Sequence, residues 1–226
     1  MAEKKNNQSA PQIEEALSQS EAFFLKYKNA IIGCVVAFVV IVAGVILYRT
    51  YVSEPKEQKA STAIAKAQEL FGNQQYDLAL NGSDSLGVAG FLRIADEYSS
   101  TKAGNLAYLY AGLCYAHTEK WQEAADCLEK YDGADDQMVS PAALGALGNV
   151  YAHLEQLDKA VSTLVKAAEK ADNNSLSPTF LIQAGQILES QGKKAEALKL
   201  YKQVKEKYFD SMQYQTIDEY IERVSE

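Results

Sequence analysis

Nineteen consecutive residues, Ala30 to Tyr48, carry no charge and read AIIGCVVAFVVIVAGVILY. No other feature constrains the chain as strongly. At about 1.5 Å per residue a helix of that length approaches the ~30 Å hydrocarbon core of a bilayer. Twelve of these residues are Val, Ile, Leu or Phe. At about −0.3 to −0.6 kcal/mol each, they favour insertion by about 4 to 7 kcal/mol. In water so many β-branched residues would suit a buried strand. In lipid a lone segment must satisfy its own backbone, so a helix is expected. Phe23, Phe24 and Tyr27 on one side, with Tyr48 and Tyr51 on the other, fit interfacial aromatic belts. A cleaved signal peptide has a shorter apolar stretch and a small-residue site after it, whereas here Arg49-Thr50-Tyr51-Val52 follows. Ile31-Ile32-Gly33-Cys34 matches a lipobox as a bare pattern, but nearly all of the apolar run lies after Cys34. The segment reads as an uncleaved anchor over residues 29–49.

Charge leaves the orientation undecided. Lys4, Lys5, Lys26 and Lys28 precede the span, and Arg49, Lys56, Lys59 and Lys66 follow it closely. That is a tie under the positive-inside rule. Residues 1–48 sum to zero, so the net charge of −8 belongs entirely to the remainder. An acidic balance of that size argues against a nucleic-acid surface.

After the span the sequence repeats. Gly112, Gly148 and Gly185 stand 36 and 37 residues apart, within YAGLCYAHTEKWQEA, LGNVYAHLEQLDKA and AGQILESQGKKAEA. Ala124, Ala160 and Ala197 each follow their Gly by 12 residues, and Leu128, Leu164 and Tyr201 come four later. Leu144, Leu147 and Tyr151 mark an apolar stripe at helical spacing. The glycines allow a second helix to come close, with the alanines expected as the matching small contacts. Ser140-Pro141 and Ser177-Pro178 read as helix starts, Ser at the N-cap and Pro at the first helical position. Each unit is therefore a helix–turn–helix hairpin that must stack on its neighbours to bury its faces.

These units resemble tetratricopeptide repeats, which are ~34 residues long with W-x2-L-G-x2-Y followed by A-x3-F. The match runs through Tyr108–Tyr131, Leu144–Ala167 and Leu181–Val204, with a divergent earlier unit around Ala67, Leu70, Phe71 and Tyr76-Asp77-Leu78-Ala79. From Ala79 to Ala124 is 45 residues, and NGSDSLG accounts for the excess as an inserted Gly/Ser loop. The expected fold is all-α: a single N-terminal transmembrane helix, then an α-solenoid of about four such hairpins and a C-terminal capping helix. Residues 1–28 are expected as an N-terminal tail and residues 50–60 as a linker or the start of the first solenoid helix. The repeat domain occupies 61–226, with repeats near 61–104, 105–140, 141–177 and 178–211 and a cap over 212–226.

Catalytic motifs are missing. The chain has no Gly-rich phosphate loop, no Cys-x2-Cys and no His-Glu-x2-His. Asp132, Asp135 and Asp136 lack an EF-hand ligand series and read as a loop. The expectation is a non-enzyme with no cofactor, no metal and no small-molecule substrate. His117 and His153 share a Tyr-Ala-His phrase. They are expected as polar groups on the groove wall, with a pH-sensitive contact as the sharper alternative. Cys34 is read as an apolar filler of the anchor, while Cys114 and Cys127 fall on the two helices of one hairpin and read as free buried thiols, with a disulfide as the alternative if the domain faces an oxidising space.

A stacked helical array without catalytic groups offers an extended concave surface for a peptide or protein segment. By the resemblance, its wall is the first helix of each pair. Here that gives Leu106, Leu109, Leu113, His117, Asn149, His153, Ile182, Gln186 and Glu189. The set holds no Lys or Arg, unlike the repeat proteins that clamp chaperone C-terminal carboxylates. The full layout is similar to the bacterial YfgM-like group, single-span inner-membrane proteins with periplasmic repeats. That resemblance implies a cytoplasmic N-terminus, a periplasmic domain and partners among Sec translocon subunits, periplasmic chaperones or their clients. A cell-envelope assembly scaffold and a self-oligomerising module are the alternatives. Ile13, Ala16, Leu17, Ser20, Phe24 and Tyr27 could form an amphipathic face before the span, and Gly33 with Ala37 a small-residue packing pair. Asp84-Ser85-Leu86 and Asp210-Ser211-Met212 resemble a short O-glycosylation motif of periplasmic proteins.

Overall fold

A computed structural model describes the backbone of residues 9–225 and the side chains of residues 25–225. The chain divides into two compact units between Pro55 and Lys56.

In the first unit, helix α1 spans Ser9–Tyr48 and a π-helical turn follows at Arg49–Ser53. Among the described residues one helical stretch, beginning at Leu25, is long and apolar enough to cross a membrane, and its most apolar window is unburied. Phe38, Val40 and Ile41 are each about two-thirds exposed, as lipid-facing side chains would be. The side chains of Ile13, Ala16, Leu17, Ser20 and Phe24 lie outside the described residues, and so does any face they form.

The second unit is built from antiparallel helix pairs. Helix α2 covers Glu54–Gly72 and α3 Tyr76–Asn81, then short strands β1 (Gly82–Ser83) and β2 (Val88–Ala89) precede α4 (Phe91–Glu97). Three further pairs follow: α5 (Lys102–His117) with α6 (Trp121–Leu128), α7 (Val139–His153) with α8 (Leu157–Ala171), and α9 (Ser177–Ser190) with α10 (Lys194–Lys207). A 3-10 turn at Met212–Gln215 leads into α11 (Ile217–Ser225). The inserted segment after Ala79 is therefore a two-stranded antiparallel hairpin, pairing Gly82 with Ala89 and Ser83 with Val88, rather than an irregular loop. It splits the second helix of the first pair into α3 and α4.

One turn geometry is used four times. Gln74, Glu119, Glu155 and Gly192 all have positive φ, between 58° and 73°. The next residue's N–H, on Gln75, Lys120, Gln156 and Lys193, donates to the carbonyls of Leu70, Tyr115, Tyr151 and Leu188, each at 2.9 Å. This is a Schellman closure, which satisfies carbonyls that a helix end leaves unpaired. Only the last of the four left-handed positions carries glycine, so composition alone conceals the repeat.

Inside the pairs, the glycines receive a different residue from the one expected. A Cβ on Gly112 would lie 2.6 Å from Leu128 Cγ, on Gly148 2.7 Å from Leu164 Cγ, and on Gly185 2.6 Å from Tyr201 Cζ. The partners are thus the large residues four positions beyond Ala124, Ala160 and Ala197, while the alanines are themselves fully buried. A glycine backbone forms the socket and a large side chain fills it.

Both Ser-Pro pairs stand at helix starts as expected, with Pro178 in the first positions of α9, but neither serine is the cap: the residue before α7 is Met138 and the residue before α9 is Leu176. Both serines are buried: Ser177 Oγ donates to Ala168 O at 2.8 Å, and Ser140 Oγ donates to Asp136 Oδ2 at 2.5 Å, with Ala134 O also within reach at 2.9 Å. Capping falls instead to Asp136, whose Oδ1 accepts from the N–H groups of Met138 at 2.8 Å and Val139 at 2.5 Å. Asn173 Oδ1 does the same for Ser175 and Leu176, each at 2.9 Å. The Ser140 hydroxyl, followed by these backbone N–H groups, lowers the Asp136 carboxyl to about 2. A group with a depressed folded pKa stabilises above its unfolded value, and that gain fades as pH falls through the folded one. Asp136→Ala is expected to lower stability by about 1 kcal/mol at neutral pH. The difference from wild type should shrink on acidification from about pH 4 towards pH 2; denaturant titrations at several pH values would read it.

Cys114 and Cys127 are free thiols, 0% and 7% exposed. Burial, with a smaller contribution from Asp77, pushes Cys114 up to about 12 and leaves it unreactive at neutral pH. Ser85 is exposed at the tip of the inserted hairpin, whereas Ser211 is 7% exposed and not open to a modifying enzyme.

Candidate binding groove

The first helices α5, α7 and α9 carry the groove wall. Positions map between them by the 36- and 37-residue spacing, so Leu113, Asn149 and Gln186 are equivalent, as are His117, His153 and Ser190. Between α7 and α9 lies an open recess of about 480 Å³, lined by Asn149, Ala152, His153, Gln183, Gln186, Ile187 and Ser190. No lining residue bears a fixed charge. The recess offers carboxamides, an imidazole and a hydroxyl over an apolar floor of Ala152 and Ile187. Such a surface can hydrogen-bond a peptide backbone or neutral side chains, and it has no cation to hold a carboxylate.

The structure brings Asn149, His153 and Gln186 together at this recess. It places the other candidates elsewhere. Leu109 and Ile182 are 7% and 8% exposed and belong to the core, and Leu106 and Leu113 are half-buried against the same packing. Glu189 is drawn away from the recess. It accepts bonds from Arg223 Nε and Nη2, each at 2.8 Å, and from the Tyr201 hydroxyl. The Arg223 bond, followed by that of Tyr201, holds the Glu189 carboxyl below the usual range.

The histidines stack on different aromatic rings. His117 lies parallel to Tyr76 with centroids 4.3 Å apart, and His153 parallel to Trp121 at 3.8 Å. Tyr76 and Trp121 are the first residues of α3 and α6. Each imidazole thus seals a seam between successive pairs while keeping an exposed edge.

Gln183, Ile187, Ala152 and Ser190 are lining residues that the sequence reading did not select. The signal was available for Gln183, three residues before Gln186 on the same helical face. Its Oε1 is buried without a hydrogen-bond partner. A buried acceptor left unpaired costs about 1–3 kcal/mol. Among the described residues no group of three or more His, Cys, Asp or Glu is placed to hold a metal ion.

A family model described as a tetratricopeptide repeat-like domain matches residues 21–222. A search of curated proteins found no match.

Proposed function

The chain belongs to the tetratricopeptide repeat-like family, and we propose that it is a membrane-anchored scaffold, acting without catalysis, that holds an extended, uncharged stretch of a protein partner in the recess between α7 and α9. The observation that carries this reading is the lining of the recess, which offers neutral hydrogen-bonding groups and no fixed charge. The carboxamides of Asn149 and Gln186 are among them, and neutral amides pair well with peptide N–H and C=O groups.

The resemblance to the YfgM-like group supports a finer assignment. In that assignment the N-terminus is cytoplasmic and the domain periplasmic, at a bacterial inner membrane. The partners are Sec translocon subunits, or periplasmic chaperones and their clients. A photo-crosslinker at Gln186 in native membranes tests both levels. Translocon or chaperone adducts would support the finer assignment, envelope-assembly proteins would replace it, and self-adducts alone would make the chain an oligomerisation module. Asn149→Leu combined with Gln186→Leu removes two bonding groups at about 1 kcal/mol each. Partner affinity is then expected to fall at least about tenfold. Trp121, the only tryptophan, stacks on His153 at the recess and should report occupancy by a change in emission.

A further inference from the structure

Helix α6 has 8 residues, whereas its repeat counterpart α8 has 15. It stops at Leu128, and the chain reaches α7 through residues 129–138, which form neither helix nor strand. The missing length, about two turns, leaves a cavity of about 200 Å³ between the end of α6, the first half of α7 and the end of α8. Its apolar lining is Leu128, Ala143, Leu144 and Leu147. An apolar cavity of about 150 Å³ already accepts benzene, so this one has room for a large apolar side chain. It shares no lining residue with the recess between α7 and α9.

Lys170, in the last turn of α8, is the charged residue of that lining. The 37-residue spacing that relates Ser140 to Ser177 maps Lys170 onto Lys207 and Asp135 onto Asp172. Lys207 Nζ pairs with Asp172 Oδ1 at 2.6 Å, because Asp172 is held as the left-handed C-cap of α8. Helix α6 ends before the matching point, so Asp135 stands exposed on the loop. Lys170 makes neither an ion pair nor a hydrogen bond among the described residues, and the Tyr131 hydroxyl, from another lining residue, makes none either. Backbone donors are free as well. Asn105 clamps Asp132, donating to its carbonyl at 2.7 Å and accepting from its N–H at 2.9 Å, and Ser140 Oγ reaches Ala134 O at 2.9 Å. The loop is thereby held, while the N–H groups of Gly133 and Ala134 make no hydrogen bond among the described residues.

An unpaired cation, an apolar cavity and a fixed backbone with free N–H groups match one end of a polypeptide. A C-terminal residue carries an apolar side chain and a carboxylate on the same carbon, with a peptide backbone leading away from both. We propose that this cavity is a second binding site, which takes the C-terminal residue of a partner chain when that residue is large and apolar. The side chain fills the cavity, and its carboxylate gives Lys170 the charge-assisted bond that Asp172 gives Lys207. The N–H groups of Gly133 and Ala134 serve the partner's carbonyls, as exposed backbone does in other peptide sites. A small carboxylic acid would satisfy the ammonium and the cavity but leave those N–H groups unused, which favours a chain end. The site is independent of the recess, whose lining has no cation.

The test uses the full chain in lipid nanodiscs and N-terminally fluorescein-labelled peptides read by anisotropy. The probes are Gly-Ser-Gly-Ser-Gly-Phe as the free acid, the same peptide as its C-terminal amide, and the free acid with Ser in place of Phe. The Phe-ending acid is expected to bind saturably, and either change should weaken it at least about tenfold. Lys170→Gln should cost the Phe-ending acid a similar factor and abolish the difference between acid and amide. Lys170 is partly exposed, so the change is tolerated by the fold, and Lys170→Arg should retain the preference for the acid. No binding of the Phe-ending acid, equal binding of acid and amide, or an unchanged affinity in Lys170→Gln each overturns the proposal. Displacement of the probe by N-acetylphenylalanine as effectively as by unlabelled hexapeptide overturns the chain end in favour of a small carboxylic acid. Asp135→Asn should leave the affinity unchanged, and a marked rise would overturn the proposal by showing that Asp135 already holds Lys170.

Discussion

Replacing Gly185 by Ala is expected to destabilise the last helix pair, although the same change in an ordinary helix would stabilise it by about 1 kcal/mol. The added Cβ would lie 2.6 Å from Tyr201 Cζ and 2.9 Å from its hydroxyl oxygen. Tyr201 cannot retreat, because it is fully buried and its hydroxyl is held by Glu189. Overpacking of this kind costs about 1–3 kcal/mol and occasionally more, which outweighs the propensity gain. Gly148→Ala meets Leu164 Cγ at 2.7 Å and Leu164 N at 3.3 Å, and Leu164 is fully buried as well. A comparable loss is expected there. Chemical denaturation reads both variants, and a midpoint at or above that of wild type for either would refute the socket argument. Gly185→Ala combined with Tyr201→Leu should recover part of the loss relative to the sum of the single changes, since the double variant restores room for the Cβ.

Ending the chain before Thr216 is expected to unfold the last helix pair while the earlier ones hold. Helix α11 buries Ile217 completely and leaves Val224 6% exposed, in the cluster that contains Tyr201, Val204 and Tyr208. At about 1.5–3 kcal/mol per buried aliphatic side chain, those two alone supply about 3–6 kcal/mol. That is a large part of the 5–15 kcal/mol typical of a whole domain. In a stacked array each pair contacts only its neighbours, so the loss stays local. Hydrogen exchange should accelerate over α9 and α10 and remain slow in α5. Uniform acceleration throughout the unit would show that the array folds as one block. Arg223→Ala is the milder version, at about 1 kcal/mol or less for a half-exposed pair. Glu189 is held below its usual pKa by Arg223, so its contribution is present at neutral pH and lost as pH falls through the folded value. The arginine variant should lose the larger part of that acid dependence, with the Tyr201 hydroxyl still bound to the carboxylate.

Much of this architecture is legible because it repeats. The 36- and 37-residue spacing of the glycines predicted the pairs, and the same spacing relates the left-handed turn residues Glu119, Glu155 and Gly192. Where one residue type does one job, as at Gly148 or Ala160, the period is visible. Where a position requires only a backbone conformation, as at Gln74, Glu119 and Glu155, side-chain identity varies and the signal fades. Asp136 shows a different kind of gap. It stands four residues before Ser140, the residue the sequence offered as the cap, and was itself read only as part of a loop. The tertiary arrangement decided it: Ser140 Oγ turns back to Asp136 Oδ2 and Ala134 O, while Asp136 Oδ1 accepts from the N–H groups that open α7.

The groove divides the same way. Asn149 and Gln186 follow the repeat glycines by one residue and map onto each other, so the period places both at the recess. Leu109, Ile182 and Glu189 also sit on first helices, but the stacking rotates them towards neighbouring elements. A one-residue step on a helix turns a side chain by about 100°. That step separates buried Ile182 from Gln183, which lines the recess.

By itself the sequence determined that this protein has an apolar span and a repeating set of helix pairs, because both follow from local composition and period. Length against bilayer thickness fixes the first, and the need of each amphipathic pair for a neighbour fixes the second. Tertiary structure alone decided which large side chain fills each glycine socket, which residue caps α7, and that Glu189 serves the terminal helix rather than the groove. The sockets and the role of Glu189 depend on what arrives from 12 to 34 residues away, as with Tyr201 over Gly185 and Arg223 on Glu189, whereas the cap of α7 was a choice between Asp136 and Ser140, four residues apart. Local chemistry proposes several partners for each group, and packing leaves room for one.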